Sequence, residues 1–489
     1  VRRGWLDASA YAPAVRRAWI GLCAKLDEWA NLKEVCIGTN KFNDRDYYLK
    51  RPCTTGDPHG QAPMLWCCAA LIGGEVKVAK PKTPDVRLRS AVRFLEFLPR
   101  RIHEVPGDDT VAYYGTGEAG HWSVQCNQQV ACALACLSEV PAGELRDAGA
   151  TMTADEMRRL AVRLFRYSFR THLTGDLKCT DGSAWGHHWI SVLGIERATP
   201  GLNILKKKGF TDEDLRRLRT IMESECDYRL KEYPIECAID NFQWKNKPES
   251  NIWNGGVMLR AAAEYPDAVN AEGWVKKGER MLFNGLTVPS DAGDSRFVGA
   301  NFTPNWSLDH HGYMNTGYAY VCLSNLAFLH FNFKDLGAKP PELLYRNVPE
   351  LWKRLKLMTF DDGRLFRVGG DSRVRWTYCQ LFVMQAWALL ADRFGDADAR
   401  RYEEGVVGMM AAEQSYGDDG SFFGRRLADL RGNAPAWADR PEADAFFALA
   451  VADRWHRKYL GARPAVPVAR TGEATFLNCT LEGNRADSR

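Results

Sequence analysis

Apolar residues recur at helical spacing along most of this chain, and that periodicity limits the fold more than any other feature. Tyr11, Val15, Trp19, Leu22 and Leu26 share one helical face, as do Leu88, Val92, Leu95, Leu98 (or Phe94) and Ile102. Trp122 to Leu137 reads as a nearly all-apolar helix. The spacing predicts further helices near 154–172, 185–193, 212–231, 252–265, 269–284, 312–331, 346–357, 372–394, 398–415 and 441–460. Strand alternation is scarce. Val35-Cys36-Ile37 and Arg364-Leu365-Phe366 suit minor hairpins at most. The expected class is all-α.

The segment from Gly73 to Asp85, rich in Gly, Pro and charge, interrupts the helical pattern. It divides the chain into residues 1–74, a linker over 75–87, a large domain over 88–462 and a tail over 463–489. About twelve helices in consecutive pairs follow the linker, the number an (α/α)6 toroid needs, with the loops at one end forming a cleft. An α-solenoid would show a fixed repeat period, and none is visible. The first two helices are too few to bury a barrel core. Either helices precede them or they dock on the large domain, and the first is the preferred expectation.

Composition narrows the function. Hydrophobic residues at 45% and charged residues at 26% are ordinary globular usage and exclude a disordered or fibrous chain. Lys+Arg at 65 against Asp+Glu at 61 leaves a net charge of +4, too balanced to predict nucleic-acid binding. No apolar run is long enough for a membrane span. Cys67-Cys68 and Cys132/Cys136 lie in apolar helical runs and read as small buried hydrophobes; there is no C-x-x-C. A reducing bacterial cytoplasm is the expectation, although the chain starts at Val1 in mid-pattern.

Four segments concentrate polar and aromatic side chains, each read as a loop entering a helix. They are Trp185-Gly186-His187-His188-Trp189, Asn251-Ile252-Trp253-Asn254-Gly255-Gly256, Asn305 to Asn315, and Gly369-Gly370-Asp371-Ser372-Arg373-Val374-Arg375-Trp376. Together they supply the groups that bind an acidic sugar. Asp309, His310, His311 and Tyr313 are the catalytic candidates, because an acid, two imidazoles and a phenol within five residues are costly to bury idly. Substrate-binding candidates are His121, Trp122, His187, His188, Trp189, Trp253, Asn254, Asp371, Arg373 and Arg375.

Two chemistries fit. In hydrolysis a carboxylic acid protonates the leaving oxygen, with Asp309, Asp371 or Asp240 in that role. In β-elimination Asn254, His311 or Arg375 would neutralise a uronate carboxylate while Tyr313 or His310 takes the C5 proton. Plainer readings stand beside these. One His of 187/188 packs while the other faces the cleft, Asn254 caps a helix, and the arginines pair with Asp371.

Gly115-Thr116-Gly117-Glu118-Ala119-Gly120 matches G-x-G-x-x-G, but no βαβ alternation surrounds it, so no dinucleotide is expected. The loop instead shapes a cleft rim. Neighbouring His side chains diverge, so neither a metal nor another cofactor is expected. Asp-rich diphosphate motifs are absent, which disfavours a prenyltransferase-type toroid.

The first 72 residues carry a more specific signal in Val35-Cys36-Ile37-Gly38-Thr39, Asp46-Tyr47-Tyr48, Arg51-Pro52 and Gly56-Asp57-Pro58-His59-Gly60-Gln61-Ala62-Pro63. This run resembles the C-terminal end of the unsaturated rhamnogalacturonyl hydrolases, glycoside hydrolase family 105, related to family 88. The resemblance implies an (α/α)6 barrel and removal of a 4,5-unsaturated galacturonic acid from pectin fragments. The family's catalytic Asp lies in an earlier part of the barrel, so no catalytic residue carries over. His59 and Gln61 fall where the family's final loop nears its cleft. The large domain resembles toroidal glycosidases and lyases only weakly. The expected architecture is thus the end of one barrel followed by a complete toroid. The expected function is a glycoside hydrolase acting on uronic-acid-containing oligosaccharides. A polysaccharide lyase and a non-catalytic carbohydrate-binding toroid are the alternatives. The expected partner is an oligosaccharide, with no nucleic acid and no membrane.

Overall fold

The computed structural model describes residues 6–36, 45–50, 52–72, 86–237, 247–310, 314–366, 380–424 and 426–461. The expected linker centre, the tail, Asp240, His311, Tyr313, Asp371, Arg373 and Arg375 lie outside the described residues.

Helices α1 (Ala8–Cys23), α2 (Arg45–Leu49) and α3 (Pro58–Ile72) make up the N-terminal segment, with strands β1 (Val35–Cys36) and β2 (Cys53–Thr54) paired antiparallel between them. Helix α4 (Val86–Phe97) opens the large domain and gives way to a 3-10 turn and a hairpin, β3 (Ile102–Val105) with β4 (Asp108–Tyr114). The remaining helices are α5 (His121–Leu137), α6 (Ala142–Asp147), α7 (Ala154–Thr171), α8 (Ser191–Lys207), α9 (Asp212–Lys231), α10 (Pro248–Glu264), α11 (Ala271–Phe283), α12 (Thr316–Asp335), α13 (Val348–Leu357), α14 (Val383–Phe394), α15 (Ala397–Ser415), α16 (Ala428–Asn433) and α17 (Pro435–Trp455).

The fold is an all-α toroid. Helix α5 packs on α8, α8 on α10, α10 on α12, α12 on α14, α14 on α17, and α17 back on α5, closing an inner ring. Helices α7, α9, α11, α13, α15 and α4 lie against this ring from outside. Burial separates the layers. Every residue of α12 from Thr316 to Phe333 is buried, and of α17 from Ala438 to Trp455, as a helix enclosed on all sides requires. Outer helix α7 buries only one stripe, including Met157, Ala161, Leu164, Phe165 and Ser168. Thr153 and Glu156 close its start with a capping box, and Thr211 and Asp214 do the same for α9. Small residues let the inner helices touch. A Cβ on Gly201 of α8 would lie 2.6 Å from the Cα of Cys132 on α5.

Several expectations need correction. The helix expected over 185–193 is displaced: residues 185–190 form a loop and α8 runs onward from Ser191 through Pro200. The segment Asn251 to Gly256 is no loop junction but the interior of α10, which Pro248 starts at its first turn. The regular helix entered through Leu88 ends at Phe97, and Ile102 belongs to β3. Val111 to Tyr114, just before the Gly115 to Gly120 loop, is the end of β4, whose antiparallel partner excludes a Rossmann strand. Cys132 and Cys136 are buried as expected, but Cys67 is exposed and Cys68 half-buried.

The face of Tyr11, Val15 and Leu22 is not covered by any described element, and α1 has no buried residue. The N-terminal segment does meet the toroid elsewhere. Thr54 donates its hydroxyl to the Arg426 carbonyl at 3.1 Å, the Arg426 guanidinium donates to the Gly56 carbonyl at 3.5 Å, and the Trp29 and Tyr416 rings lie 6.1 Å apart. Among the described residues no helix is long and apolar enough to cross a membrane.

Candidate active site

The starts of the inner helices gather at one end of the toroid. Trp122, in the first turn of α5, lies 6.5 Å from Trp437 in the first turn of α17, and the Arg440 guanidinium sits 3.5 Å over the Trp122 ring. Trp189, just before α8, lies 6.0 Å from Trp253 of α10. Glu249, in the first turn of α10, places Oε1 3.8 Å from Nε2 of His310, which precedes α12. Four of the sequence-derived candidates, Trp122, Trp189, Trp253 and His310, therefore share this end. The side chain of His121 lies outside the described residues.

Glu249 is only 1% exposed, and its Oε2 has no hydrogen-bond partner among the described residues. Burial, reinforced by the nearby charge of Glu236, pushes its pKa up to about 8. The carboxyl is thus protonated at neutral pH. Burial also raises the Glu236 carboxyl, while Lys247, 3.6 Å away, opposes the shift. Two carboxyls in electrostatic contact cannot both ionise easily, so the deeper one keeps the proton. Glu442 is a second buried acid with a pKa raised to about 7, but its carboxylate braces the fold, accepting the backbone N–H groups of Phe422 and Phe423 at 2.7 and 3.0 Å.

His310 is buried, with its ring centroid 3.8 Å from that of Tyr318. Asp309 is half-buried and bridges back to Met314, tightening the loop into α12. Asn315 caps that helix by accepting the Tyr318 N–H at 3.0 Å. Lys247 stands 4.7 Å over the Trp189 ring, bringing a cation and an aromatic face next to the acids.

The two neighbouring histidines part company. His187 is exposed, stacks on Tyr228 at 4.7 Å and 7°, and bonds the Ser224 hydroxyl through Nε2 at 2.9 Å. His188 lines a cavity of about 180 Å³ between α5 and α8. Burial and the charge of Arg229 lower the His188 pKa. The sharp turn just before them rests on Gly186, at φ 131, where a Cβ would meet the His172 ring at 2.6 Å.

A buried ion network fixes this loop. Glu225 accepts the His187 N–H at 2.7 Å, the Ser191 hydroxyl at 2.6 Å and the Arg229 guanidinium at 2.7 Å, and its Oε1 lies 3.0 Å from His172 Nε2. Burial alone would raise the Glu225 pKa; the His172 hydrogen bond and the Arg229 charge outweigh it and bring it down to about 2. Arg229 donates to the His188 carbonyl at 2.8 Å and to Asn254 Oδ1 at 2.6 Å. Asn254, a candidate for substrate contact, is fully buried and spends its amide here and on the Ser250 carbonyl.

Residues 1–72 match the profile of Glycosyl Hydrolase Family 88. This match supports a glycoside hydrolase, and it agrees at that level with the resemblance carried by the Gly56 to Pro63 motif. It does not extend to the toroid, where the acid pair lies. Comparison with curated proteins gives no match.

Sequence reasoning missed Glu249, Glu236 and Lys247, and it missed Gln125 and Gln128 on α5. A signal was present for Glu249 and for the two glutamines. An ionisable group in a helix apolar on every side, or glutamines in Gln125-Cys126-Asn127-Gln128-Gln129-Val130, mark polar atoms that burial would strand. Each such atom costs about 1–3 kcal/mol unless something answers it.

Proposed function

We propose that this chain is a glycoside hydrolase that cleaves uronic-acid-containing oligosaccharides of the pectin type, with its chemistry at the Glu249 end of the toroid. The observation that carries the reading is the buried Glu249 carboxyl, with an oxygen that no described protein group engages and a pKa that burial pushes up to about 8. A carboxylic acid in that state is suited to protonate a glycosidic oxygen. Glu249 donates its proton to the leaving oxygen as the glycosidic bond breaks, and Glu236 takes a proton from the attacking water. Lys247 offers the cation that a uronate carboxylate needs, and half-buried Trp189 offers a face for a sugar ring. Asp309 and His310, just ahead of α12, belong to the same proposed site. The Family 88 match over residues 1–72 supports the hydrolase class.

The test is to incubate the full chain with saturated and unsaturated uronate oligosaccharides while following reducing ends and the absorbance of the conjugated C4–C5 double bond. New reducing ends without rising absorbance are expected, and their loss in Glu249→Gln. Rising absorbance would mean β-elimination and would overturn the hydrolase reading.

A further inference from the structure

We infer that the cavity between α5 and α8 binds one neutral, hydroxyl-rich ring, a single sugar residue without a carboxylate. Its wall is built from Gln125 and Gln128 of α5 and from Trp185, His188 and Ser191 around the start of α8. No Lys, Arg, Asp or Glu lines it among the described residues. Gln125 and Gln128 are 3% and 1% exposed, and neither the oxygen nor the nitrogen of either amide has a hydrogen-bond partner among the described residues. The two side chains stand three residues apart on one face of α5.

The chemistry of the wall selects the ligand. Each glutamine both donates and accepts, which is what adjacent hydroxyls of a sugar ring require. A carboxylate only accepts, and burying it here would need a cation that the described wall does not contain. Gly194 keeps the Gln128 amide in place: a Cβ there would lie 2.0 Å from Oε1. The volume of about 180 Å³ is smaller than the roughly 300–1,000 Å³ of sites that enclose drug-sized ligands. It suits one ring and not a chain. The Ser191 hydroxyl is already committed to Glu225 at 2.6 Å, so the glutamines carry the recognition.

A row of side chains leads from the cavity wall toward the acids: the His188 and Trp189 rings are 6.0 Å apart, and Lys247 stands over Trp189. This part of the inference rests on the hydrolase reading. A substrate spanning both places would put its charged residue near Lys247 and a neutral residue against the glutamines.

The experiment is calorimetric titration of the full chain with methyl glycosides of neutral hexoses and of galacturonic and glucuronic acid. Saturable binding of at least one neutral glycoside is expected, with the uronates at least about tenfold weaker, roughly 1.4 kcal/mol. Gln125→Leu and Gln128→Leu should each weaken the neutral glycoside by about the same factor. Equal or tighter uronate binding, no saturable binding of any glycoside, or unchanged affinity in folded Gln128→Leu would overturn the inference. If the leucine variants fail to fold, the neutral-against-uronate comparison on the unaltered chain still decides. Glu249→Gln separates the two proposals. Full turnover in that variant would sink the acid role while leaving the cavity intact. Lost turnover with retained neutral-glycoside binding supports both.

Discussion

Glu249 Oε1 stands 3.8 Å from His310 Nε2, joining the first turn of α10 to the loop before α12. That separation exceeds a hydrogen bond, as is common for catalytic groups before substrate is bound. Glu249→Gln keeps the shape and removes the transferable proton. Turnover should fall by roughly 10²–10⁴-fold with little change in glycoside affinity. Steady-state kinetics with a parallel binding titration checks this.

The pH profile should report the same group. The acid acts only while protonated, and its pKa is about 8. kcat/KM should therefore decline on the alkaline side through that pH. A profile flat well beyond that value would remove Glu249 from the proton-transfer step.

Stability carries a linked signature. The Glu249 pKa rises from 4.5 in its ordinary state to about 8 in the fold. Between those values the folded chain keeps a proton that the unfolded chain has released. The contribution is thus complete below the lower value and lost as pH rises through the upper one, at most about 1.4 kcal/mol per pH unit. Glu249→Gln should show a shallower fall of Tm with pH over this window. Parallel Tm curves for the two proteins would contradict the raised pKa.

Arg229→Met leaves Glu225 buried with its cationic partner gone. A cost of about 3–5 kcal/mol is expected from the uncompensated charge. Because Arg229 also holds the His188 carbonyl, the 186–191 loop should loosen, and hydrogen exchange at His188 to Ser191 should accelerate more than in α12. Denaturant melts and exchange measurements check the two parts separately.

Cys36 and Cys53 are register partners across the β1–β2 ladder, and neither is in a disulfide. Antiparallel partners hold Cα atoms about 4.5–5.5 Å apart, inside the range a disulfide spans. Burial and the neighbouring Cys36 raise the Cys53 pKa, which makes Cys53 slow to attack first. With glutathione disulfide, Cys36 forms a mixed disulfide and releases one glutathione, and Cys53 then displaces the second. Peptide mapping should find Cys36 linked to Cys53, and Cys53→Ser should stop at the mixed disulfide. A link between Cys67 and Cys68 instead would refute the pairing.

Periodicity alone is enough for the helical class and for most helix bounds: the expected 154–172 and 212–231 correspond to α7 and α9. Those are outer helices, whose single buried stripe writes a clear pattern into the sequence. Inner helices bury every face, and their ends blur. So the pattern puts α8 too early and the start of α10 too late. Trp122, Trp189, Trp253 and His310 are legible as site candidates because aromatic and imidazole groups stand out beside helix starts.

The sequence by itself determined the all-α class, the rejection of a dinucleotide site and the resemblance of the first 72 residues to uronyl hydrolases. Tertiary structure decided which polar groups are placed for chemistry and which only brace the fold. Glu249 and Glu225 are both glutamates on helices. Their difference is environmental. Arg229 and His172 surround Glu225 and hold it ionised, whereas burial without a hydrogen-bonded cation among the described residues leaves Glu249 protonated. Arg229 lies one turn along α9 from Glu225, but only the packing of α7 on α9 brings His172 there, and only the packing of α10 on α12 brings His310 to Glu249.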